Sequence, residues 1–77
     1  MSNVETFLLK AFCEVCEIDP NDFGIDFPLD ECEEWDSLNM LSFLSEIEDE
    51  YGITISADDV EALKTIKDFA DHINKGV

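Results

Sequence analysis

Apolar residues near the N-terminus recur at spacings of three and four, which is the period of an α-helix with one buried face. Ser2 and Glu5 form a capping-box sequence at the start of this pattern. We therefore predict a first helix from about Asn3 to Cys16. Its predicted inward residues are Val4, Phe7, Leu8, Ala11, Phe12 and Val15.

A second helical pattern extends from Ser37 to Tyr51. Asp36 is a favoured N-cap residue at its start, and Gly52 suits the left-handed conformation just past its end. The cap, the apolar stripe and the glycine together predict a helix between these bounds. Its predicted inward residues are Met40, Phe43, Leu44, Ile47 and Tyr51.

Leu38 and Leu41 fall outside the inward stripe of the second helix. Leu41 lies four residues after Ser37 and therefore on the same helical face. We expect both leucines to be exposed beside Ser37 and to form a contact site. The alternative is a wider apolar stripe that faces the core.

An unusually long connection joins the two helices, because Asp19 and Pro20 interrupt the first pattern and the second begins only after Asp36. The connection is too apolar to be a free linker, so we expect it to lie against the helices. The side chains expected to make that contact are Phe23, Ile25, Phe27, Leu29 and Trp35.

Two further helices are predicted after Gly52. The segment 53–55 alternates like a strand but has no evident partner, so we expect an extended loop. Ser56 should cap a short third helix, and Thr65 should cap a fourth that ends at Gly76. The predicted inward residues are Val60, Leu63, Ile66, Phe69, Ala70 and Ile73. The predicted fold is an all-α four-helix bundle, with three longer helices and a short third one, in a single domain over residues 1–77.

The composition narrows the class of partner. Twenty Asp and Glu face four Lys and no Arg, so the formal net charge is −16. Such a surface repels nucleic acid and anionic membranes and attracts proteins with basic patches, although acidity can also serve solubility alone. No apolar run approaches a membrane span, and no secretory signal is apparent. We expect a cytoplasmic, monomeric protein that is not inserted in a membrane.

Catalytic and metal-binding chemistry finds little support in the sequence. Cys13, Cys16 and Cys32 are an odd number without a signal peptide, which favours ordinary reduced thiols over disulfides or a zinc site. His72 is the only imidazole, and it is far along the chain from Ser37. The segment 19–30 matches a calcium loop only in part, because Phe23 occupies a ligand position. Neither an enzyme nor a metal site is predicted.

Ser37 stands where a phosphate would be stabilised. The serine occupies the first turn of the predicted second helix, near free backbone N–H groups and the positive end of the helix dipole. A phosphate ester on Ser37 is therefore chemically plausible.

The sequence Asp36-Ser37-Leu38 resembles the motif of acyl carrier proteins of the phosphopantetheine-binding family. The resemblance extends over essentially the whole chain: a long first helix, a long loop, the motif at the start of a second helix, an acidic run to Tyr51, a short third helix and a fourth. The motif alone is a weak signal. Combined with this length, acidity and helix order it is strong.

The resemblance implies that Ser37 carries a covalent 4′-phosphopantetheine arm from coenzyme A, attached by a separate phosphopantetheinyl transferase. It implies that Asp36 and Leu38 are the motif residues read by that transferase, and that the arm holds acyl groups as thioesters. It also implies docking of basic acyl-loading and acyl-processing enzymes on the second helix, and a cavity behind that helix for an acyl chain. It implies that Glu48 and Asp49 are docking residues, and the predicted docking set is completed by Leu41, from its position beside Ser37, and by Ser45.

Four positions depart from the carriers of fatty-acid synthesis. Asn39 and Ser42 stand where those carriers often have acids, Glu34 stands where they often have glycine, and Trp35 precedes the motif. This pattern favours a specialised biosynthetic pathway over general fatty-acid synthesis. The alternative function is an unmodified acidic module of the same fold that binds proteins or divalent cations.

Overall fold

The computed structural model describes residues 3–76 and confirms an all-α fold for them. The four helices are α1 (Asn3–Cys16), α2 (Ser37–Tyr51), α3 (Ala57–Ala62) and α4 (Ile66–Gly76). Two short 3₁₀ turns, Pro20–Asp22 and Leu29–Glu31, interrupt the connection between α1 and α2. Within this part of the chain no β-strand forms, as expected for the segment 53–55. The predicted cap by Ser2 lies outside the described residues.

Local hydrogen bonds set the helix bounds where the sequence predicts them. The side chains of Ser56 and Thr65 each accept a bond from the backbone N–H three residues later, at 3.2 and 3.1 Å. Gly52 has a φ of 68° and donates its N–H to the Glu48 carbonyl at 2.8 Å. Each bond satisfies a backbone group that the helix end leaves free.

The sequence correctly predicts that α1 ends at Cys16, but not the backbone conformation that ends it. Glu17 adopts a left-handed conformation with a φ of 58°, and the Ile18 N–H donates to the Cys13 carbonyl at 2.8 Å. This is the six-to-one bond of a Schellman motif, at a position where glycine is usual. The helix therefore ends at Cys16, three residues before Asp19, through its own backbone hydrogen bonds.

The core lies where α1 packs against both α2 and α4. Because α1 packs against two helices, its buried residues differ from its predicted stripe. Leu9, Cys13 and Cys16 are buried beside Leu8, Ala11 and Phe12, whereas Val4, Phe7 and Val15 are only partly buried. Val60 and the four predicted inward residues of α4 are buried as expected. On α2, Phe43 and Ile47 are fully buried, whereas Met40, Leu44 and Tyr51 are only partly so.

Aromatic rings occupy the centre of this core. The rings of Phe12 and Phe43 meet edge to face at 5.7 Å, and those of Phe43 and Phe69 at 5.2 Å. Trp35, from the loop, lies 5.0 Å from Phe12. These contacts fill the space between α1, α2 and α4 at the level of Phe43, where the resemblance implies a cavity for an acyl chain.

Backbone hydrogen bonds join the long loop to the residues around the start of α4. The Leu29 N–H donates to the Lys64 carbonyl at 2.9 Å, and the Lys67 N–H donates to the Ile25 carbonyl at 3.1 Å. Leu29 is buried, which confirms that the loop lies against the helices. Phe27 differs from the expectation, because 39% of its surface remains exposed.

Candidate functional site

The site begins with the N-cap of α2. Asp36 has extended backbone angles, and its Oδ1 accepts a bond of 2.9 Å from the Asn39 N–H. The Asp36 carbonyl accepts the first intrahelical bond, from Met40, at 2.8 Å. Ser37 is consequently the first helical residue, and its side chain is exposed.

This geometry suits a phosphate ester on Ser37. Asp36 satisfies the Asn39 N–H, but helix geometry leaves the N–H groups of Ser37 and Leu38 without intrahelical partners. These two N–H groups and the positive helix end can stabilise an anion at the serine oxygen. The residues present therefore fit a phosphodiester, and the exposed position of Ser37 leaves room for a modifying enzyme to reach it.

Asn39 ties the preceding loop to the first turn of α2. Its Nδ2 donates to the Glu34 carbonyl at 2.6 Å and lies 4.0 Å from the Cys16 sulfur. These contacts hold the loop segment just before Ser37 against the first turn of α2 and the end of α1. The sequence marked Asn39 only as a departure from acidic carriers, since no local pattern reveals a bond to a carbonyl five residues earlier.

The two predicted leucines are exposed. Leu38 has 76% of its surface accessible and Leu41 has 58%, although both are large and apolar. The wider-stripe alternative is therefore wrong for these positions. Ser45, Glu48 and Asp49 are also exposed, and the spacing from Leu41 places them along one side of α2.

The three cysteines are free and buried near the base of this site. Burial, with smaller contributions from Cys32 and the acidic residues nearby, raises the pKa of the Cys16 thiol to about 12. Burial likewise raises the pKa of Cys13 and of Cys32. Thiols with such pKa values stay protonated at neutral pH, so they are poor nucleophiles.

Glu46 is the acidic residue of α2 with the least favourable surroundings. Its Oε2 is buried, and no hydrogen-bond partner for it occurs in residues 3–76. Burial raises the pKa of this carboxyl, and the negative charges of Glu14 and Asp49 raise it further. The folded protein therefore binds a proton at Glu46 more tightly than at an exposed glutamate.

The remaining candidates from the sequence are the partial calcium loop and His72. Asp19, the first residue of the partial calcium loop, accepts a bond from the Asn21 N–H at 2.9 Å and caps a 3₁₀ turn. His72 lies beside a shallow polar depression on α4. In the part of the chain that is described, no group of three or more His, Cys, Asp or Glu side chains is arranged to hold a metal ion. None of its helices has the length and apolar character needed to cross a membrane.

Comparison with known families agrees with this geometry. Residues 6–73 match the family model described as phosphopantetheine attachment site. The match covers most of the chain, including α2 and the loop before it. The chain therefore belongs to the phosphopantetheine-binding carrier family, which includes acyl carrier proteins, and its cofactor is covalently held 4′-phosphopantetheine.

Proposed function

We propose that this protein carries acyl intermediates on a 4′-phosphopantetheine arm attached to Ser37, and that it acts in a specialised biosynthetic pathway. The observation that carries the proposal is the exposed Ser37 at the capped start of α2. The family match supports the carrier role in general. The attachment residue rests on the position of Ser37 and on the motif around it.

In the proposed reaction a transferase supplies the base. The Ser37 oxygen attacks the phosphorus atom of coenzyme A that bears the pantetheine, and the bond from that phosphorus to the bridging oxygen breaks. Adenosine 3′,5′-bisphosphate leaves with the bridging oxygen, and the serine proton passes to the transferase. The free N–H groups of α2 then stabilise the phosphodiester on Ser37. The arm supplies a terminal thiol that holds cargo as a thioester, so no cysteine of this chain takes part. The chain itself is proposed to have no catalytic activity.

Docking is assigned to the exposed side of α2. Leu38 and Leu41 provide apolar contacts next to Ser37, and Glu48 and Asp49 provide negative charge further along the helix. Partners with a basic rim around an apolar patch complement this surface, because opposite charges steer the encounter and apolar burial stabilises the complex. Asp36 and Leu38 are the motif residues proposed to be read by the transferase.

The neutral residues early in α2 favour a specialised pathway. Asn39 is engaged with Glu34, and Ser42 is exposed without a charge. A partner that reads acids at these positions would lose that attraction here. We therefore expect enzymes of general fatty-acid synthesis to accept this carrier poorly.

The modification is tested by intact-protein mass spectrometry after incubation with coenzyme A and a broad-specificity transferase. The wild type should gain the mass of one phosphopantetheine, and Ser37→Ala should gain none. Ser42→Ala is the matched control, because it removes another exposed hydroxyl of α2 and should be modified normally. A wild type that remains unmodified would overturn the proposal and favour an unmodified acidic module.

Docking is tested separately with holo-protein. Leu41→Ser and Glu48→Lys should each slow acyl transfer with a partner enzyme while leaving the helical circular-dichroism spectrum unchanged. Glu61→Lys on α3 provides a control with the same charge change elsewhere. Unchanged transfer rates in both α2 variants would exclude this side of α2 as the docking surface.

A further inference from the structure

The loop between α1 and α2 forms an open surface cavity of about 320 Å³, here called the loop groove. This volume is at the small end of ligand-binding clefts, which range over roughly 300–1,000 Å³. The groove has a lining that includes Phe23, Phe27 and Cys32 together with four acidic residues. It is separate from the aromatic core at Phe43, and the proposed function has not used it.

The floor of the loop groove is apolar. The rings of Phe23 and Phe27 meet at 4.9 Å, and Phe23 in turn stacks on the buried Phe12 at 4.8 Å. Phe27 is nevertheless 39% exposed. An occupant that covers this ring would remove apolar surface from water, which is favourable.

The rim of the loop groove is acidic. Asp22, Glu31, Glu33 and Glu34 are exposed, and no basic residue lines the groove. This arrangement attracts a cation and repels an anion. The phosphate of a prosthetic arm would therefore remain at the start of α2, and only a neutral or cationic part of the arm would enter.

The loop groove is within reach of Ser37. Glu34 lies three residues before Ser37, so their Cα atoms are at most about 11 Å apart. A pantetheine arm is comparable to about five extended residues, or roughly 17 Å. The bond from Asn39 to the Glu34 carbonyl holds this edge of the groove against α2. A group on the arm is thus tethered close by and experiences a high effective concentration.

We propose that the loop groove receives the outer end of the Ser37 arm when its cargo combines a small apolar body with a positive charge, as an aminoacyl thioester does. The proposal rests on the proposed attachment at Ser37 and specifies the class of cargo. The apolar body covers Phe23 and Phe27, and the ammonium group lies among the acids of the rim. A long uncharged acyl chain lacks the charge contribution and exceeds the volume.

The test compares two cargoes with the same carbon skeleton. Leucyl and 4-methylpentanoyl groups differ only by the amine, and both can be placed on the arm through a non-hydrolysable amide link. Intact mass first establishes that Ser37 carries the arm, which separates a failure of the proposed function from a failure of this inference. Backbone amide spectra are then recorded at about pH 6, where an α-amino group with an ordinary pKa of about 7.7–8.0 is charged.

The leucyl cargo should shift the amide resonances of Phe23, Phe27 and Cys32 relative to the unloaded arm. Its docked population should exceed that of 4-methylpentanoyl by about fivefold, the ratio expected for one ion pair in a watery setting. Phe27→Ala, or Glu31→Gln combined with Glu33→Gln, should reduce the leucyl shifts. The control Glu61→Gln, on α3, should not. Equal shifts for the two cargoes, or leucyl shifts that all these variants leave unchanged, would overturn the proposal.

Discussion

Replacing Asp36 separates two roles that this residue combines, capping α2 and presenting a carboxylate beside Ser37. Its Oδ1 accepts the Asn39 N–H at 2.9 Å. Loss of such an N-cap costs typically about 1 kcal/mol of folding free energy, whereas asparagine caps about as well as aspartate. Asp36→Ala should therefore be about 1 kcal/mol less stable than Asp36→Asn, although both remove one negative charge.

Urea and thermal unfolding followed by circular dichroism measure this difference. In a domain of this size, about 1 kcal/mol corresponds to a difference in Tm of roughly 4–8 °C. The comparison of alanine with asparagine cancels the relief of charge repulsion, which is substantial in a chain with a net charge of −16. Equal stabilities for the two variants would refute the capping role.

The same two variants report on recognition by the transferase. Asp36→Asn preserves the capped start of α2, so any decrease in its modification rate measures the contribution of the carboxylate itself. We expect a decrease for Asp36→Asn and a larger one for Asp36→Ala, because the alanine variant also frays the turn that holds Ser37 and Leu38. A wild-type rate for Asp36→Asn would contradict the proposal that the transferase reads this charge.

Three further predictions concern the fold. Glu46→Gln should stabilise the protein at pH values above the raised folded pKa of Glu46. The wild-type carboxyl binds its proton more tightly in the folded state than in the unfolded state, where a glutamate pKa is about 4.3. The wild-type protein therefore loses stability as the pH rises through the interval between these two pKa values. Urea melts at pH 7 and below pH 4 should show a gain in stability only at pH 7. That gain should be larger than the gain for the exposed control Glu48→Gln. A gain at both pH values would contradict the raised pKa as its cause. Glu17→Gly should be about 0.5–1 kcal/mol more stable than Glu17→Gln in urea unfolding. Both variants are uncharged at this position, and only glycine adopts the left-handed conformation without strain. Equal stability of the two variants would refute that strain. Phe43→Ala should cost about 3–5 kcal/mol and Leu41→Ala less than about 0.5 kcal/mol, because the first side chain is fully buried and the second is exposed, and similar losses would contradict the packing.

The helix bounds could be predicted from the sequence because they depend on local chemistry. Asp36, Ser56 and Thr65 cap helices through bonds to residues three positions later, and Gly52 adopts the left-handed conformation that glycine permits. Ser37 could be predicted as the first helical residue for the same reason.

Features that depend on distant parts of the chain could not be predicted in this way. The loop is fastened by backbone bonds from residues 25 and 29 to residues 67 and 64, and such bonds leave no sequence pattern. The left-handed Glu17 was missed because no glycine marks the end of α1. The contact of Asn39 with Glu34 and the exposure of Phe27 likewise follow from how the loop folds over α1.

The most direct test of the central claim locates the modification on the chain. Holo-protein, produced with a competent transferase and coenzyme A, would be digested and its peptides sequenced by tandem mass spectrometry. The phosphopantetheine should be found on Ser37 alone, and not on Ser42, Ser45 or Ser56. A phosphopantetheine located on another serine, or a fully unmodified Ser37, would contradict the account.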